Sequence, residues 1–291
     1  MYDKYIDLHV HSNYSDGKRT LNYICNKAYE NNVDVISLAE HYNLSSYRKF
    51  RRISKGNIEV IPATEISASL LNYGLSKRHV CHIIAYYPTN KIYKILDKYE
   101  LSREKCVKRT LEMLKKNGIN ITYTNVLKSA RNKKSVGRFD IAIALANLGY
   151  AKTPYEAYEN FFDEKSPIFI DREKMSVKDL IQNVLFVGGV PVLAHPKTLR
   201  LSNSDFEGFL SELKSFGLMG MEVYNPHNTP SIREFLLNMC NSYELISTVG
   251  SDYHGRQGEN VEIGLGLDNN LKINDYSIVE NLKKAKHSLY K

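Results

Sequence analysis

Four cysteines in 291 residues, at Cys25, Cys81, Cys106 and Cys240, form no C-x-x-C pair and no dense framework. Their scatter excludes a cysteine zinc site and a disulfide scaffold, and it fits a reducing, cytoplasmic compartment with free thiols. Cys81, between His79 and His82, is expected to pack as a small hydrophobe. No apolar run approaches the roughly 20 residues that a membrane helix requires. The N-terminus, Met1-Tyr2-Asp3-Lys4-Tyr5-Ile6-Asp7, has acidic residues where a secretory signal has an apolar core. Repeats and low-complexity segments are also missing. A membrane partner is therefore not expected, and no obligate protein partner is evident.

What is present is an ordinary soluble composition, with 43% hydrophobic and 25% charged residues and a formal charge of +8. A basic excess favours anionic partners such as phosphates, nucleotides or nucleic acid. Short β-rich runs at 6–10, 35–39, 59–63, 82–87, 190–194, 220–224 and 247–250 alternate with amphipathic segments, the first at 20–31. Such alternation implies parallel β/α architecture, and this many units favour a closed or distorted barrel. The middle differs: 91–116, 125–130, 138–148 and 154–162 read as helices without intervening strands. The expected organisation is α/β, with barrel parts at 1–97 and 173–291 and a helical insertion at 98–172 standing over one end.

Histidines and carboxylates fall at strand ends. His9 and His11 close the first run, and side chains at i and i+2 of a strand point the same way. Glu40 and His41 close the second, Glu65 follows the third, His195 ends a later one, and Asp252 and His254 follow Gly250. His82 instead opens a strand. Functional groups of β/α barrels sit at the C-terminal strand ends. Mixed imidazole and carboxylate donors without thiolate suit Zn, Mn or Fe at a hydrolytic site. The donors outnumber what one ion can use, so two or three ions are expected, with Glu65 as the candidate bridge. Ions about 3.5–4 Å apart clamp both oxygens of an in-line phosphoryl displacement.

The strings DLHVHSNYSDG, EH at 40–41, ATEIS, HIIAYY, PVLAHP, GMEVYNPHNTP and GSDYHG resemble, in order, the motifs of the PHP (polymerase and histidinol phosphatase) family of metal-dependent phosphoesterases. The likeness covers nearly the whole chain. Gly137-Arg138 and the segment 169–173 resemble the branch of 3′,5′-nucleotide bisphosphate phosphatases and 5′→3′ exoribonucleases. The resemblance implies a distorted seven-stranded TIM-like barrel with two to three divalent ions (Mn, Fe, Zn or Mg). It implies one site of His9, His11, Glu65 and Asp252, a second sharing Glu65 with His82 and His195, and a third of Asp16, His41 and His254. His79 is a rival to His82, and His287 is expected to be inert. Arg138 and Arg172 become candidates for substrate phosphate, since a guanidinium binds its oxygens bidentately, with Lys197 a further one.

The chain departs from the family pattern in three places. Glu40 stands where Asp usually precedes the histidine, and it is expected to orient His41 or bind metal. Phe139-Asp140 replaces Pro-His after Arg138, and His227 comes one place early in Pro226-His227-Asn228-Thr229, near the expected substrate. The reaction expected is phosphate monoester hydrolysis by a metal-bridging hydroxide, with His254, Asp252 or a bound water protonating the leaving alkoxide. The expected substrate is a 3′,5′-nucleoside bisphosphate or a 5′-phosphorylated oligoribonucleotide. The alternatives are a histidinol-phosphate-type or broad small-molecule phosphatase, and a catalytically weak nucleotide- or nucleic-acid-binding domain.

Overall fold

The computed structural model describes residues 4–73, 80–130, 136–163 and 165–290. His79 lies outside the described residues. Seven strands form one sheet in chain order: β1 (Tyr5–Val10), β2 (Val33–Leu38), β3 (Glu59–Ser69), β4 (Val80–Tyr86), β5 (Val190–Leu193), β6 (Gly220–Tyr224) and β7 (Ile246–Val249). The helices are α1 (Leu21–Glu30), α2 (Ser45–Ile53), α3 (Tyr93–Lys116), α4 (Tyr123–Ser129), α5 (Arg138–Asn147), α6 (Pro154–Phe162), α7 (Val177–Phe186), α8 (Asn203–Ser215), α9 (Pro230–Ser242) and α10 (Ser277–Ser288).

Local chemistry accounts for the elements beside the site. Thr20 caps α1 through its side chain, which accepts from the Tyr23 amide at 3.3 Å. Leu21, Ile24, Cys25 and Ala28 follow at helical spacing and are buried with Val33, Ile36 and Leu38 of β2. All four cysteines are free and buried, Cys81 among them. The sheet curls until the chain beyond β7 bonds back to β1. The Asp252 amide donates to the His9 carbonyl at 2.8 Å, and the His11 amide donates to the Tyr253 carbonyl at 2.9 Å.

One strand departs from the parallel reading. β4 runs antiparallel to both β3 and β5, whereas the other neighbours are parallel. β3 is also longer than the sequence suggested and pairs with β4 from Ala63 to Ser69. Ten residues separate the two strands, too few for the dozen or more that a parallel crossover needs. The reversal places the start of β4 at the rim where parallel strands end. His82, opposite Ser67, therefore sits at the same rim as Glu65 although it opens its strand.

The described residues fall into two compact units. One runs to residue 93 and resumes at Met175; the other holds Lys94–Lys174. The second unit is helical among its described residues, around a core that includes Leu114, Val126, Ile141, Leu145 and Phe162. Its α5 starts at Arg138 because Asp140 turns back: Oδ2 accepts from the Gly137 amide at 2.8 Å. A carboxylate in the first turn also complements the helix dipole. The Phe139-Asp140 departure thus supplies a helix start.

Asp7 ties the sheet to its loops. Its buried carboxylate accepts from the amides of Ser251 (2.9 Å), Gly264 (2.8 Å) and His9 (3.3 Å). Burial raises its pKa to about 6 despite these donors. Asp7→Ala is expected to cost on the order of 3 kcal/mol, because buried amides would be left without an acceptor. Urea denaturation measures this; an unchanged midpoint would contradict it.

Candidate metal centre

β1 and the residue that follows it deliver His9 and His11, both fully buried, alternating with Ile6, Leu8 and Val10. Their Nε2 atoms lie 3.0 Å apart. Glu65 Oε2 is 3.5 Å from His9 Nε2 and 3.4 Å from His11 Nε2. Asp252 Oδ1 is 3.5 and 3.3 Å from the same two nitrogens. A tetrahedron of donors about 2.1 Å from its centre has edges of about 3.4 Å. The five separations, 3.0–3.5 Å, come close to that figure, while Glu65 and Asp252 fall in different donor groups.

The other oxygen of Glu65 faces elsewhere. Oε1 is 2.9 Å from His82 Nδ1 and 2.9 Å from His195 Nε2, which are themselves 3.1 Å apart. A third group is looser. Asp16 Oδ1 lies 3.2 Å from His254 Nε2, 3.7 Å from His11 Nδ1 and 3.9 Å from His41 Nε2. His41 also turns Nδ1 to within 3.1 Å of Glu65 Oε2. Four sets of donor atoms each lie within 4.8 Å of one another: His11, Asp16, His41 and His254; His9, Glu65 and His195; His9, His11 and Asp252; and His41, Glu65 and His82.

Two of these atoms lack ordinary partners. Asp16 Oδ1 and His41 Nδ1 are buried and make no hydrogen bond. A buried polar atom left so costs about 1–3 kcal/mol, and a cation at the convergence point removes that cost. Charge points the same way. Burial opposes ionisation of Glu65, yet His82, His41 and His9 hold its carboxyl well below the usual range. Burial likewise opposes protonation of His11, yet hydrogen bonds to Asp252 and Glu65 raise it to about 10. Burial lowers His41 to about 3 and keeps it a neutral donor. Imidazoles and carboxylates without thiolate fit divalent zinc, manganese or iron.

Backbone and neighbours aim the donors. His195 and Asp252 occupy positive φ, at 25° and 53°, a conformation that costs about 1–3 kcal/mol and clusters at functional sites. The Asp252 carbonyl accepts from His254 Nδ1 at 2.7 Å, which leaves Nε2 as the basic nitrogen. Thr198 Oγ1 lies 3.0 Å from His195 Nδ1.

Sequence reasoning missed Glu222. This buried carboxylate accepts from His9 Nδ1 at 2.6 Å and is held by Asn225 Nδ2, which donates to it at 2.7 Å. It fixes the tautomer that turns His9 Nε2 toward the cluster. A charged residue inside the apolar run Gly220–Tyr224 was the available signal.

Other expected residues lie apart. Glu40 is in none of the donor groups found among the described residues. Its oxygens accept from the Ser12 amide, the Ser12 hydroxyl and, at 2.5 Å, the Ser15 hydroxyl. Burial raises its pKa. Glu40 therefore braces the loop after β1 and does not orient His41 by a contact of its own. Arg138, in the second unit, donates to the Ile170 carbonyl at 2.5 Å and approaches Asp171 Oδ1 at 3.3 Å. Its guanidinium stacks 4.6 Å from the Phe169 ring centre, and that of Arg172 lies 5.7 Å from Tyr99's. Lys197 and His227 are exposed, and the His227 amide donates to Asn225 Oδ1 at 3.0 Å.

Comparison with known proteins gives four findings. The PHP domain model matches residues 7–175. A 5′-3′ exoribonuclease of Haemophilus influenzae is 26% identical over 92% of this chain and 96% of its own. A 3′,5′-nucleoside bisphosphate phosphatase of Chromobacterium violaceum is 23% identical over 88% of this chain and 90% of its own. The crystal structure of a Bifidobacterium adolescentis protein described as a metal-dependent phosphoesterase superposes with a TM-score of 0.74. It is 27% identical over 97% of this chain and 96% of that one.

Proposed function

Because the chain belongs to the PHP domain family, we propose that it hydrolyses phosphate esters of nucleotides with divalent metal ions held by His9, His11, Asp16, His41, Glu65, His82, His195, Asp252 and His254. The observation that carries this reading is Glu65, whose Oε2 faces His9, His11 and His41 and whose Oε1 faces His82 and His195. When bound, such ions lower the pKa of a coordinated water toward neutrality and neutralise charge on phosphoryl oxygens.

The chain's own residues supply the rest. Glu65 would hold ions through both of its oxygens, Glu222 orients His9, and Glu40 stiffens the loop that carries Asp16. Of the three proton sources expected for the leaving alkoxide, the donor set leaves a bound water: His254 donates its Nδ1 proton to the Asp252 carbonyl and turns Nε2 to the Asp16 group. Burial opposes ionisation of Asp252, but His9 and His11 hold it well below the usual carboxylate range. It therefore has no proton to give at neutral pH. Addition of a chelator should abolish p-nitrophenyl phosphate turnover and Mn²⁺ should restore it; turnover that survives chelation and His9→Ala would refute the reading.

The substrate we infer is a 3′,5′-nucleoside bisphosphate, with Arg138 and Arg172, in the segment 98–172, as candidates to bind phosphate. Arg138 is already fixed by Ile170, Asp171 and Phe169, so its guanidinium is preorganised. Arg138→Ala is expected to raise KM for adenosine 3′,5′-bisphosphate about 10-fold or more, since a charge-assisted bond contributes about 1.5–3 kcal/mol. An equal effect on p-nitrophenyl phosphate would remove the arginine from substrate recognition. A 5′-phosphorylated RNA is the second reading. Residues 94–174 carry 17 Lys and Arg against 11 Asp and Glu, six of the chain's eight excess positive charges. Steeply salt-dependent cleavage of a short RNA would favour that length of substrate. Four buried free thiols agree with action in the cytoplasm.

A further inference from the structure

A cavity of about 480 Å³ lies between the 3-10 turn Pro196–Leu199 and the N-terminal halves of α8 and α9. All of its lining belongs to the first unit. Its volume falls within the about 300–1,000 Å³ of small-molecule sites, far more than an ion requires. Two kinds of surface meet there. Lys197 and Arg200 line it as exposed cations, whereas Phe206, Ile232, Phe235 and Leu236 form an apolar wall. The Phe206 and Phe235 rings are 6.1 Å apart.

The cavity adjoins the metal cluster along the chain. The 3-10 turn starts immediately after His195, whose Nε2 lies 2.9 Å from Glu65. The turn is tied at its far end, where the Arg200 amide donates to the Lys197 carbonyl at 3.1 Å with Arg200 at φ 53°. This hydrogen bond fixes the spacing of the two cation-bearing backbones. Inorganic phosphate would use the cations and leave the wall wet; a purely apolar ligand would leave both cations without counter-charge. A nucleotide uses both surfaces, placing a flat base on the rings and an anionic phosphate on the cations.

We propose that this cavity is a nucleotide subsite, with the base against Phe206 and Phe235 and a phosphate on Lys197 and Arg200. The proposal rests on the nucleotide reading above. Phe235→Leu removes the half-buried ring and keeps apolar volume; Arg200→Gln removes an exposed charge. Each is expected to weaken binding of adenosine 5′-monophosphate about 10-fold in calorimetric titrations of the Mn²⁺-loaded protein. Each should also lower the ratio of kcat/KM for adenosine 3′,5′-bisphosphate to that for p-nitrophenyl phosphate by a similar factor. Arg200→Lys is expected to restore most of the affinity. Wild-type affinity and ratio in both Phe235→Leu and Arg200→Gln would overturn the subsite. Loss in Phe235→Leu counts as support only when its melting temperature stays near that of the wild type, and Arg200→Gln, changed at an exposed side chain, decides otherwise. If the wild-type protein cleaves no nucleotide yet binds the monophosphate through these residues, the proposed reaction fails and the subsite stands.

Discussion

Glu65→Gln is expected to lower kcat/KM for a phosphate monoester by about 10³-fold or more, beyond the 10–100-fold typical of residues that only support a ligand. Glu65 is 1% exposed and within 3.5 Å of five imidazoles: Oε2 faces His9, His11 and His41, and Oε1 faces His82 and His195. An amide keeps the shape but removes the charge. It also turns a donor toward nitrogens that an acceptor had faced. Bound manganese, measured by elemental analysis after dialysis, should fall with the activity. A variant that retains a tenth of wild-type activity and its full metal content would take Glu65 out of the centre.

Gly250→Ala should be nearly as severe, though it adds one methyl group to a residue with no functional group. A Cβ there would stand 2.2 Å from His9 Cβ, 3.0 Å from Glu222 Oε2 and 3.2 Å from the His9 amide nitrogen. Neither neighbour can yield cheaply, since His9 and Glu222 are bonded to each other at 2.6 Å and are both buried. Overpacking of this kind costs about 1–3 kcal/mol. A displacement of the order of 1 Å at a reacting group costs about 100-fold in rate. We therefore expect a lower melting temperature together with about a 100-fold loss in kcat/KM. Wild-type activity in Gly250→Ala would show that His9 tolerates the shift and that its position is not critical.

The cluster was legible where a titratable residue interrupts or ends a short apolar run. His9, His11, His41, Glu65, His195, Asp252 and His254 all follow that pattern, and the structure brings them together. The orientation of β4 was not legible in the same way. A strand run reads alike in either direction, and only the shortness of its link to β3 carries the sign. Glu222 was hidden for a related reason: inside Gly220–Tyr224 it lies within a run that reads as buried strand, where its partner His9 comes from the far end of the chain. Glu40 misled because side-chain type and position indicated a donor, whereas Ser12 and Ser15, close in sequence to His11, had claimed its oxygens.

The bonds that return the chain to β1 give the centre a topological role. Asp7 and Ser251, joined at 2.9 Å, are 244 positions apart, and Asp252 meets His9 beside them. Closing a loop of that length costs entropy that grows as (3/2)RT ln n. By contrast, β3 and β4 meet across a ten-residue link. Ions gathered by His9, His11, Glu65 and Asp252 would thus act as a clasp on a loop that spans most of the chain. The seam between β1 and the segment after β7 is where amide hydrogen exchange should respond most to their addition and removal.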